Sequence, residues 1–233
     1  MLTLFAFGFS HIAFNEPTPD NSLSKAEKAQ GWQLLFDGHS LNNWRIYLNK
    51  PADCWAVENG TIHCLKREPG KNEKRGDLIT INEYENFDLV VDWKLAPQGN
   101  SGILYMVTEQ YPQPYLSGPE YQLIDDNHYA EKLEDWQHTG ANYAMNPPTT
   151  LAAKPIGEWN HTRIVVNNGH VEHWLNGVKV VDYRLWTNEW NQNKDNGKWK
   201  EAPGYGMSKK GHIDLQDHAG SEAWFKNIKI KTL

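Results

Sequence analysis

A strand pattern runs through Phe87-Asp88-Leu89-Val90-Val91-Asp92-Trp93-Lys94-Leu95, where apolar residues occupy every second position. Side chains of a strand point alternately to its two faces, so this stretch has one face for a core and one for solvent. The same period of two returns at 103–107, 164–166 and 171–175. The pattern predicts β-strands over most of the chain.

The strands are short, and turn signals separate them. Asn-Gly pairs stand at 168–169 and 176–177, and Asn-Gly favours two-residue hairpin turns. Helical patterns are confined to a lead-in helix over 25–30, opened by the capping box Ser24-Lys25-Ala26-Glu27, and to parts of 129–136 and 187–193. Short alternating strands with frequent turns predict an all-β fold, a two-sheet sandwich with a few short helices in its loops.

Composition restricts the possible partners. The chain has 233 residues, enough for one well-buried domain, and a net charge of −6 with no basic run longer than two residues. This charge argues against a nucleic-acid surface. Eleven Trp and ten Tyr are many for this length. We expect most of these rings in the core and two or three at a cleft.

The first residues are apolar, but the run over 1–14 is too short to span a bilayer. It resembles the hydrophobic part of a secretory signal without a basic start, and residues 15–22 read as a polar linker. We therefore expect a truncated signal and linker over 1–22, one β-sandwich domain over 23–233, no membrane span, and export to the periplasm or the extracellular space.

Cys54 and Cys64 flank a predicted hairpin that turns at Asn59-Gly60. A two-residue turn pairs Trp55 with Cys64 and sends Cys54 to the opposite face, which disfavours a disulfide. A three-residue bulged turn would set the two cysteines opposite each other.

Two strands carry unusual polar faces. In Gly211-His212-Ile213-Asp214-Leu215-Gln216-Asp217-His218, the face opposite Ile213 and Leu215 holds imidazoles, a carboxylate and an amide. In the stretch 118–125, Glu120 and Gln122 share a face. Acid and base groups beside amides suit a cleft that handles sugars.

Six motifs in this order resemble the 3-keto-disaccharide hydrolase family across 31–233: Leu35-Phe36-Asp37-Gly38-x-x-Leu41-x-x-Trp44, Asn100-Ser101-Gly102-Ile103-x-Tyr105, Gly118-Pro119-Glu120-Tyr121-Gln122-Leu123-Ile124-Asp125, Gly157-Glu158-Trp159-Asn160, Trp174-Leu175-Asn176-Gly177, and Leu215-Gln216-x-His218 with Phe225-x-Asn227-Ile228. The resemblance implies a jelly roll of the concanavalin A-like lectin/glucanase type, with the binding groove on the concave face of one sheet. One departure is Tyr105-Met106, because the family often has Tyr-Arg there.

Glu120 and His218 are the predicted catalytic residues. Glu120 begins a strand after Pro119, and a carboxyl withdrawn from water can act as acid or base. His218 can exchange a proton near neutral pH, with Asp214 or Asp217 to orient it. Which of the two is the acid stays open, and a structural role for His218 is an alternative.

The predicted substrate-binding residues come from the same faces and motifs and from two aromatic insertions at 129–154 and 185–199: Gln122, Gln216, Asp125, His173, Trp174, Tyr105, Asn100, Trp136 and Trp190. Among them, His173 has an alternative role as a core histidine, because Val171 and Leu175 share its face. The rings of the insertions either stack on sugar or pack the loops onto the sandwich.

No cofactor is required by any motif. His212 and Asp214 are weak candidates for a divalent ion, and neither matches a high-specificity metal signature.

The strand with Glu120 lacks the second carboxylate of retaining glucanases, which counts against ordinary double displacement. The resemblance implies an enzyme that cleaves 3-keto-glycosides by elimination and hydration, and a separate oxidoreductase would make the 3-keto form. The alternative is a non-catalytic carbohydrate-binding module or lectin on the same fold.

Overall fold

The structure is a computed structural model that describes residues 18–68, 70–218 and 221–233. Over these residues the strands are β1 Gln33–Leu34, β2 Trp44–Ile46, β3 Trp55–Glu58, β4 Thr61–Cys64, β5 Leu78–Thr80, β6 Phe87–Leu95, β7 Asn100–Val107, β8 Glu120–Ile124, β9 Asn160–Asn167, β10 His170–Leu175, β11 Val178–Arg184, β12 His212–Leu215 and β13 Ala223–Thr232. The helices are α1 Lys25–Ala29 and α2 Asn188–Asn196, with short 3-10 turns at Tyr47–Asn49, Pro114–Leu116, Asp135–Gln137 and Lys198–Glu201.

The strands form two antiparallel sheets, which confirms the predicted sandwich. The larger sheet has the order β11-β10-β9-β6-β13-β4-β3, with β1 added beside β13. The five-stranded sheet has the order β2-β5-β12-β7-β8. The apolar alternation of β6 faces the core, where Phe87, Trp93, Tyr121 and Phe225 are almost fully buried. Tyr121 belongs to β8, so one face of the five-stranded sheet also packs in this core. The opposite face of that sheet is able to carry a site.

The predicted hairpin turns form as two-residue turns. Both residues have positive φ at 59–60, 168–169 and 176–177, the conformation that Asn-Gly adopts in type I′ turns. In the first hairpin Trp55 pairs with Cys64, as the two-residue turn predicts. Both cysteines are free and buried in the structure.

The N-terminal segment is anchored from Asp20 onward. Asn21 and Asn227 exchange backbone-to-side-chain hydrogen bonds (2.6 and 2.9 Å), and Asp20 accepts from Lys226. Ser24 and Glu27 form the predicted capping box. The predicted signal lies at 1–14, outside the described residues. Among the described residues, no helix is long and apolar enough to cross a membrane.

A bulge near the end of β7 places Met106, which stands where the family often has Arg, in the core. The pairing of β7 with β12 shifts between His212 and Asp214, and Met106 has a φ of 55°. As a result Tyr105 and Met106 are both buried in the core. Gly211 makes the close approach possible, because a Cβ there would lie 2.3 Å from the Met106 carbonyl carbon. The position of the departure thus belongs to the core.

Candidate active site

A cavity of about 260 Å³ lies on the outer face of the five-stranded sheet. Strands supply its polar floor and loops supply its aromatic walls. Its lining residues are Asn100, Tyr115, Glu120, Gln122, Tyr143, Lys198, Trp199, Gln216 and His218. The structure thus brings together both predicted catalytic residues and three of the predicted binding residues.

Strand register explains why distant parts of the sequence meet here. Gly102 of β7 pairs with Gln122 of β8, and the Gly102 carbonyl accepts from the Gln216 backbone N–H (3.0 Å). Residues opposite each other in antiparallel strands project to the same face, so the two glutamines flank Gly102. A Cβ on Gly102 would stand 2.6 Å from Glu120 Oε1. The glycine therefore leaves the space that the Glu120 carboxyl occupies.

Glu120 is a buried carboxyl whose charge is disfavoured. Only 5% of it is exposed. Burial raises the pKa of Glu120 to about 8; the Lys198 ammonium opposes this shift and Asp77 adds to it. In the amide orientation that satisfies both ends, Gln122 donates to Glu120 Oε1 (3.0 Å). At neutral pH Glu120 therefore carries a proton that it can donate.

His218 has the opposite character. Burial lowers the pKa of His218, and the nearby Asp217 charge opposes that shift. The ring is therefore neutral at pH 7, and its Nδ1 is buried without a hydrogen-bond partner among the described residues. A neutral imidazole has one ring nitrogen without a hydrogen, and that nitrogen can accept a proton.

The backbone before His218 is clamped to the start of β5. The Asp217 N–H donates to Asp77 Oδ1 (2.9 Å), and the Asp217 carboxylate accepts from Arg75 Nε (3.0 and 3.1 Å) and from the Gly76 N–H (3.1 Å). These bonds commit Asp217 to Arg75, so the expectation that it orients the His218 ring is wrong. Its contribution is to hold the strand end from which His218 projects.

Asp214, the other expected orienting group, is completely buried and makes no hydrogen bond to His218. It is 0% exposed, its strand neighbours Ile79 and Leu104 belong to a small apolar cluster, and both its oxygens lack a partner among the described residues. Burial, with the Asp77 and Glu120 charges, raises its pKa well above the usual range. A buried carboxyl of this kind is a neutral acid rather than an anion that orients a histidine.

The two weak metal candidates do not share a site with a third ligand in the described part of the chain. His212 lies at the far end of β12, with Nε2 3.8 Å from Glu83. Within the described residues, the side chains that lie close enough to share a metal ion are His170, Glu172 and Asp182, in the larger sheet. Lys179 already bonds both carboxylates of that group, so an ion pair explains their approach.

The structure places Tyr105 and His173 between the sheets, which corrects the expectation that they bind substrate. Both are 0% exposed. The Tyr105 hydroxyl bonds His173 Nε2 (2.8 Å) and the Tyr183 hydroxyl (2.7 Å), and His173 Nδ1 bonds the Gly140 carbonyl (2.9 Å). Burial lowers the pKa of His173 to about 4. The shared face with Val171 and Leu175 was the correct signal, because both are core residues.

Two further predicted residues also lie away from the cavity, so their expected substrate contacts are corrected. Trp174 belongs to β10 in the larger sheet and donates to Glu172 (2.9 Å). Asp125 follows β8 and is 2% exposed, and its carboxylate accepts from the backbone N–H groups of Asn127 and His128 in the following turn and of Gln98 in another loop. Both side chains therefore have structural partners.

The aromatic insertions do reach the cavity, but through other rings than those predicted. Trp190 is buried and stacks on Tyr205. Trp136 packs edge-on against Tyr143, with 5.2 Å between the ring centroids, and does not itself line the cavity. Tyr143 and Trp199 line it instead. The length and aromatic content of the insertions indicated a rim, but not which ring faces inward.

Lys198 is a cavity residue that carried no sequence signal. Its ammonium donates to the Tyr143 hydroxyl (3.1 Å) and lies over the Tyr143 and Trp199 rings, at 4.2 and 5.3 Å from their centroids. Cation–π contacts of this length hold an ammonium in place. The mouth of the cavity therefore carries a positioned positive charge near Glu120.

Comparison with known proteins matches this architecture. The profile of the 3-keto-alpha-glucoside-1,2-lyase-like domain family matches residues 31–231. The chain belongs to this family. A 3-keto-disaccharide hydrolase of Bacteroides thetaiotaomicron is 34% identical over 239 residues, covering 91% of this chain and 82% of the relative. The resemblance seen in the six motifs is thereby confirmed.

Solved structures of a similar protein and of a more distant one agree on the fold. A crystal structure from Parabacteroides distasonis, assigned to the glycosyl hydrolases, has a TM-score of 0.84 and 42% identity, covering 92% of this chain and all of that one. A Bacillus subtilis protein with a galectin-like fold has a TM-score of 0.51 at 11% identity, over 82% of this chain and 89% of that one. The predicted jelly-roll sandwich is confirmed.

Proposed function

We propose that this protein is an enzyme that cleaves glycosides whose C3 hydroxyl has been oxidised to a ketone, through elimination and then hydration. One observation carries the proposal: a single cavity joins a carboxyl that keeps its proton at neutral pH, Glu120, to an imidazole that does not, His218. When their surroundings push the pKa values of two titratable groups in opposite directions, one group can act as the acid and the other as the base at the same pH. Membership of the family supports the substrate class.

In the elimination step, the 3-ketone acidifies the proton on C2. The His218 imidazole takes this proton, and its electrons form the C1=C2 double bond as the C1–O bond breaks. Glu120 donates its proton to the departing oxygen, which leaves as an alcohol. The negative charge that develops on the C3 oxygen is met by the Gln216 amide N–H groups and by the Lys198 ammonium.

The hydration step reverses the roles of the two groups. The Glu120 carboxylate takes a proton from water while the water oxygen bonds to C1 of the unsaturated ketone. The protonated His218 returns its proton to C2. The balance of both steps is one water added and one alcohol released, and each residue ends in its starting state.

Conventional double displacement fits the cavity less well. It needs a second carboxylate about 5 Å from the first. Glu120 is the sole carboxylate among the cavity's lining residues, and Asp214, which projects from the same face, is completely buried. Elimination needs only one carboxyl with one base, and both are present.

The test incubates purified protein with 3-keto-sucrose, 3-keto-lactose or 3-keto-trehalose, beside the parent disaccharides and beside keto forms that carry deuterium at C2. We expect release of the second sugar from the keto forms alone, and slower release from the forms with deuterium at C2, because the bond from C2 to hydrogen breaks in the elimination. Glu120→Gln and His218→Ala should each abolish turnover. Consumption of the parents instead, or equal rates for substrates with hydrogen and with deuterium at C2, would overturn the mechanism. Binding without any consumption would identify a lectin-like module.

The location of the enzyme and the source of its substrate complete the proposal. We propose export, on the apolar segment over 1–14, which fractionation of cells that produce the full chain would test. A 3-keto-glycoside must come from oxidation at C3, so we also propose a separate oxidoreductase as the supplier of substrate.

A further inference from the structure

Asp77 is a partly buried carboxyl that stands beside the cavity without lining it. It directly precedes β5, in which Leu78 pairs with Leu215 of β12. Its Oδ1 reaches β12, where it accepts from the Asp217 N–H (2.9 Å). Residues that face each other in antiparallel strands point to the same side, so Asp77 lies beside Gln216 on the outer face of the five-stranded sheet.

Gln216 separates Asp77 from Glu120. On its other side the Gln216 backbone N–H donates to the Gly102 carbonyl (3.0 Å), and the Glu120 carboxyl occupies the space over Gly102. The strand order β5-β12-β7 places two strand spacings, about 10 Å, between the backbone of Asp77 and that of Gly102. A charge at this distance still acts on another carboxyl in a partly buried site, because little water screens it.

Asp77 is the carboxyl of this face that ionises most readily. Burial raises the pKa of Asp77 to about 7; the bond from the Asp217 N–H and the Lys50 ammonium oppose this shift, and the Asp217 charge adds to it. Asp214 keeps its proton to a higher pH, because burial and the Asp77 charge raise its pKa well above the usual range. Tyr47, whose backbone N–H bonds the Asp77 carbonyl (2.9 Å), stays neutral because burial raises its pKa to about 12. Above pH 7, Asp77 therefore carries the negative charge of this group.

Glu120 lies within reach of that charge. Burial is the largest cause of its raised pKa; the Lys198 ammonium opposes the shift and the Asp77 charge adds to it. Two more titratable groups near Glu120, Tyr205 and His218, are neutral at pH 7. Asp77 is therefore a source of negative charge that disfavours a second anion at Glu120.

We propose that Asp77 is a positioning residue for both groups of the reaction. Its negative charge acts across Gln216 and keeps the proton on Glu120, and its bond to the Asp217 N–H holds the strand end from which His218 projects. This inference rests on the proposed function and adds to it a residue outside the cavity lining that sets the pH range of turnover.

The test begins with Asp77→Asn, which keeps the size of the side chain and an oxygen that can accept from the Asp217 N–H but carries no charge. We compare kcat/KM for 3-keto-sucrose between wild type and variant from pH 5 to pH 9. The alkaline limb, where Glu120 loses its proton, should move about one pH unit lower, while kcat at the optimum changes little. Asp77→Ala also loses the accepting oxygen, so it should in addition lower kcat at the optimum about tenfold.

Asp53→Asn is the matched control. Asp53 Oδ1 also accepts a backbone N–H, that of Lys74 (3.0 Å), and Asp53 does not line the cavity. Its replacement removes one carboxylate with the same kind of bond, so the alkaline limb should stay where it is in wild type. A purely structural role for Asp77 would lower stability and kcat without moving the limb.

Urea unfolding gives a second readout that needs no substrate. A carboxyl with a raised pKa in the folded protein loses stability relative to Gln as the pH rises, until the folded-state pKa is reached. We measure this loss as the difference between Glu120 and Glu120→Gln, with Asp77 and with Asp77→Asn. The loss should level off about one pH unit earlier with Asp77→Asn.

An alkaline limb that does not move, or a loss of stability that levels off at the same pH in both backgrounds, would overturn the role of Asp77. Wild type that turns over none of the 3-keto-disaccharides would instead refute the proposed function. The unfolding measurement would then still decide whether the Asp77 charge acts on Glu120.

Discussion

Replacing Glu120 with Gln tests the protonation state on which the mechanism depends. Gln has nearly the shape of a protonated carboxyl but cannot ionise. The folded protein holds the pKa of Glu120 at about 8, while the ordinary value is 4.5. A group with a raised pKa in the folded state favours folding fully below its unfolded pKa, and this contribution is lost as the pH rises toward the folded pKa. The Gln variant has no such loss.

The magnitude follows from these two values. Each pH unit between them costs the wild type about 1.4 kcal/mol of unfolding free energy. Between pH 5 and pH 7 the wild type should therefore lose about 2 to 3 kcal/mol relative to Glu120→Gln. Burial is the largest cause of the raised pKa of Asp214 and is present in both proteins, so this part of its effect cancels in the difference.

The assay is urea unfolding of both proteins at several pH values from 4.5 to 8, with Glu131→Gln as a control for loss of one exposed carboxylate. We expect the stability curves of wild type and Glu120→Gln to diverge as the pH rises. Parallel curves would show that Glu120 is already ionised at neutral pH, and its role as the acid would then be untenable. Turnover by wild type should fall above about pH 8, as the acid loses its proton, and on the acid side as the base gains one.

Three further predictions concern the parts of the site that the structure revealed. Gly102→Ala should lower kcat by at least tenfold, because the new methyl group displaces the Glu120 carboxyl. Steady-state kinetics with a melting curve would show lost turnover in a folded protein, and unchanged kinetics would contradict the close approach of Glu120 to Gly102. Tyr105→Phe should cost about 1 to 3 kcal/mol of stability through its buried hydrogen bonds and leave KM unaltered, which denaturant unfolding and kinetics can check. Trp190→Ala should lower the free energy of unfolding by about 3 to 5 kcal/mol, because it truncates a core residue. Tyr143→Ala should mainly raise KM, and the reverse pattern would show that Trp190 contacts substrate.

The fold was largely predictable because its determinants are local. Alternation in β6 fixed which residues face the core, and each Asn-Gly pair fixed a turn and a register. The hairpin at 59–60 shows the strength of this signal: the turn alone gave the pairing of Trp55 with Cys64. The bulge at Met106 was not predictable, because it depends on how β12 and Gly211 approach β7.

The site was predictable in its floor and not in its walls. Glu120 and Gln122 project from β8, and Gln216 directly follows β12, so a period of two gives their face directly. Tyr143 and Trp199 project from loops, where no period exists, and their neighbours Trp136 and Trp190 are chemically equivalent candidates. Tyr105 shows the remaining difficulty: an alternating strand identifies two faces, and only the core contacts tell which face a polar aromatic residue takes.

The assignment of acid and base required the structure for a different reason. With the ordinary pKa values of a carboxyl and an imidazole, Glu120 and His218 would both be mainly deprotonated at pH 7, and neither would stand out as the acid. Burial acts on the charged form of each, so it raises the pKa of Glu120 and lowers that of His218. The same desolvation therefore separates the two roles at neutral pH. A buried carboxyl and a buried imidazole can thus supply the acid and the base without a second carboxylate. This agrees with the cavity, in which Glu120 is the sole carboxyl among the lining residues.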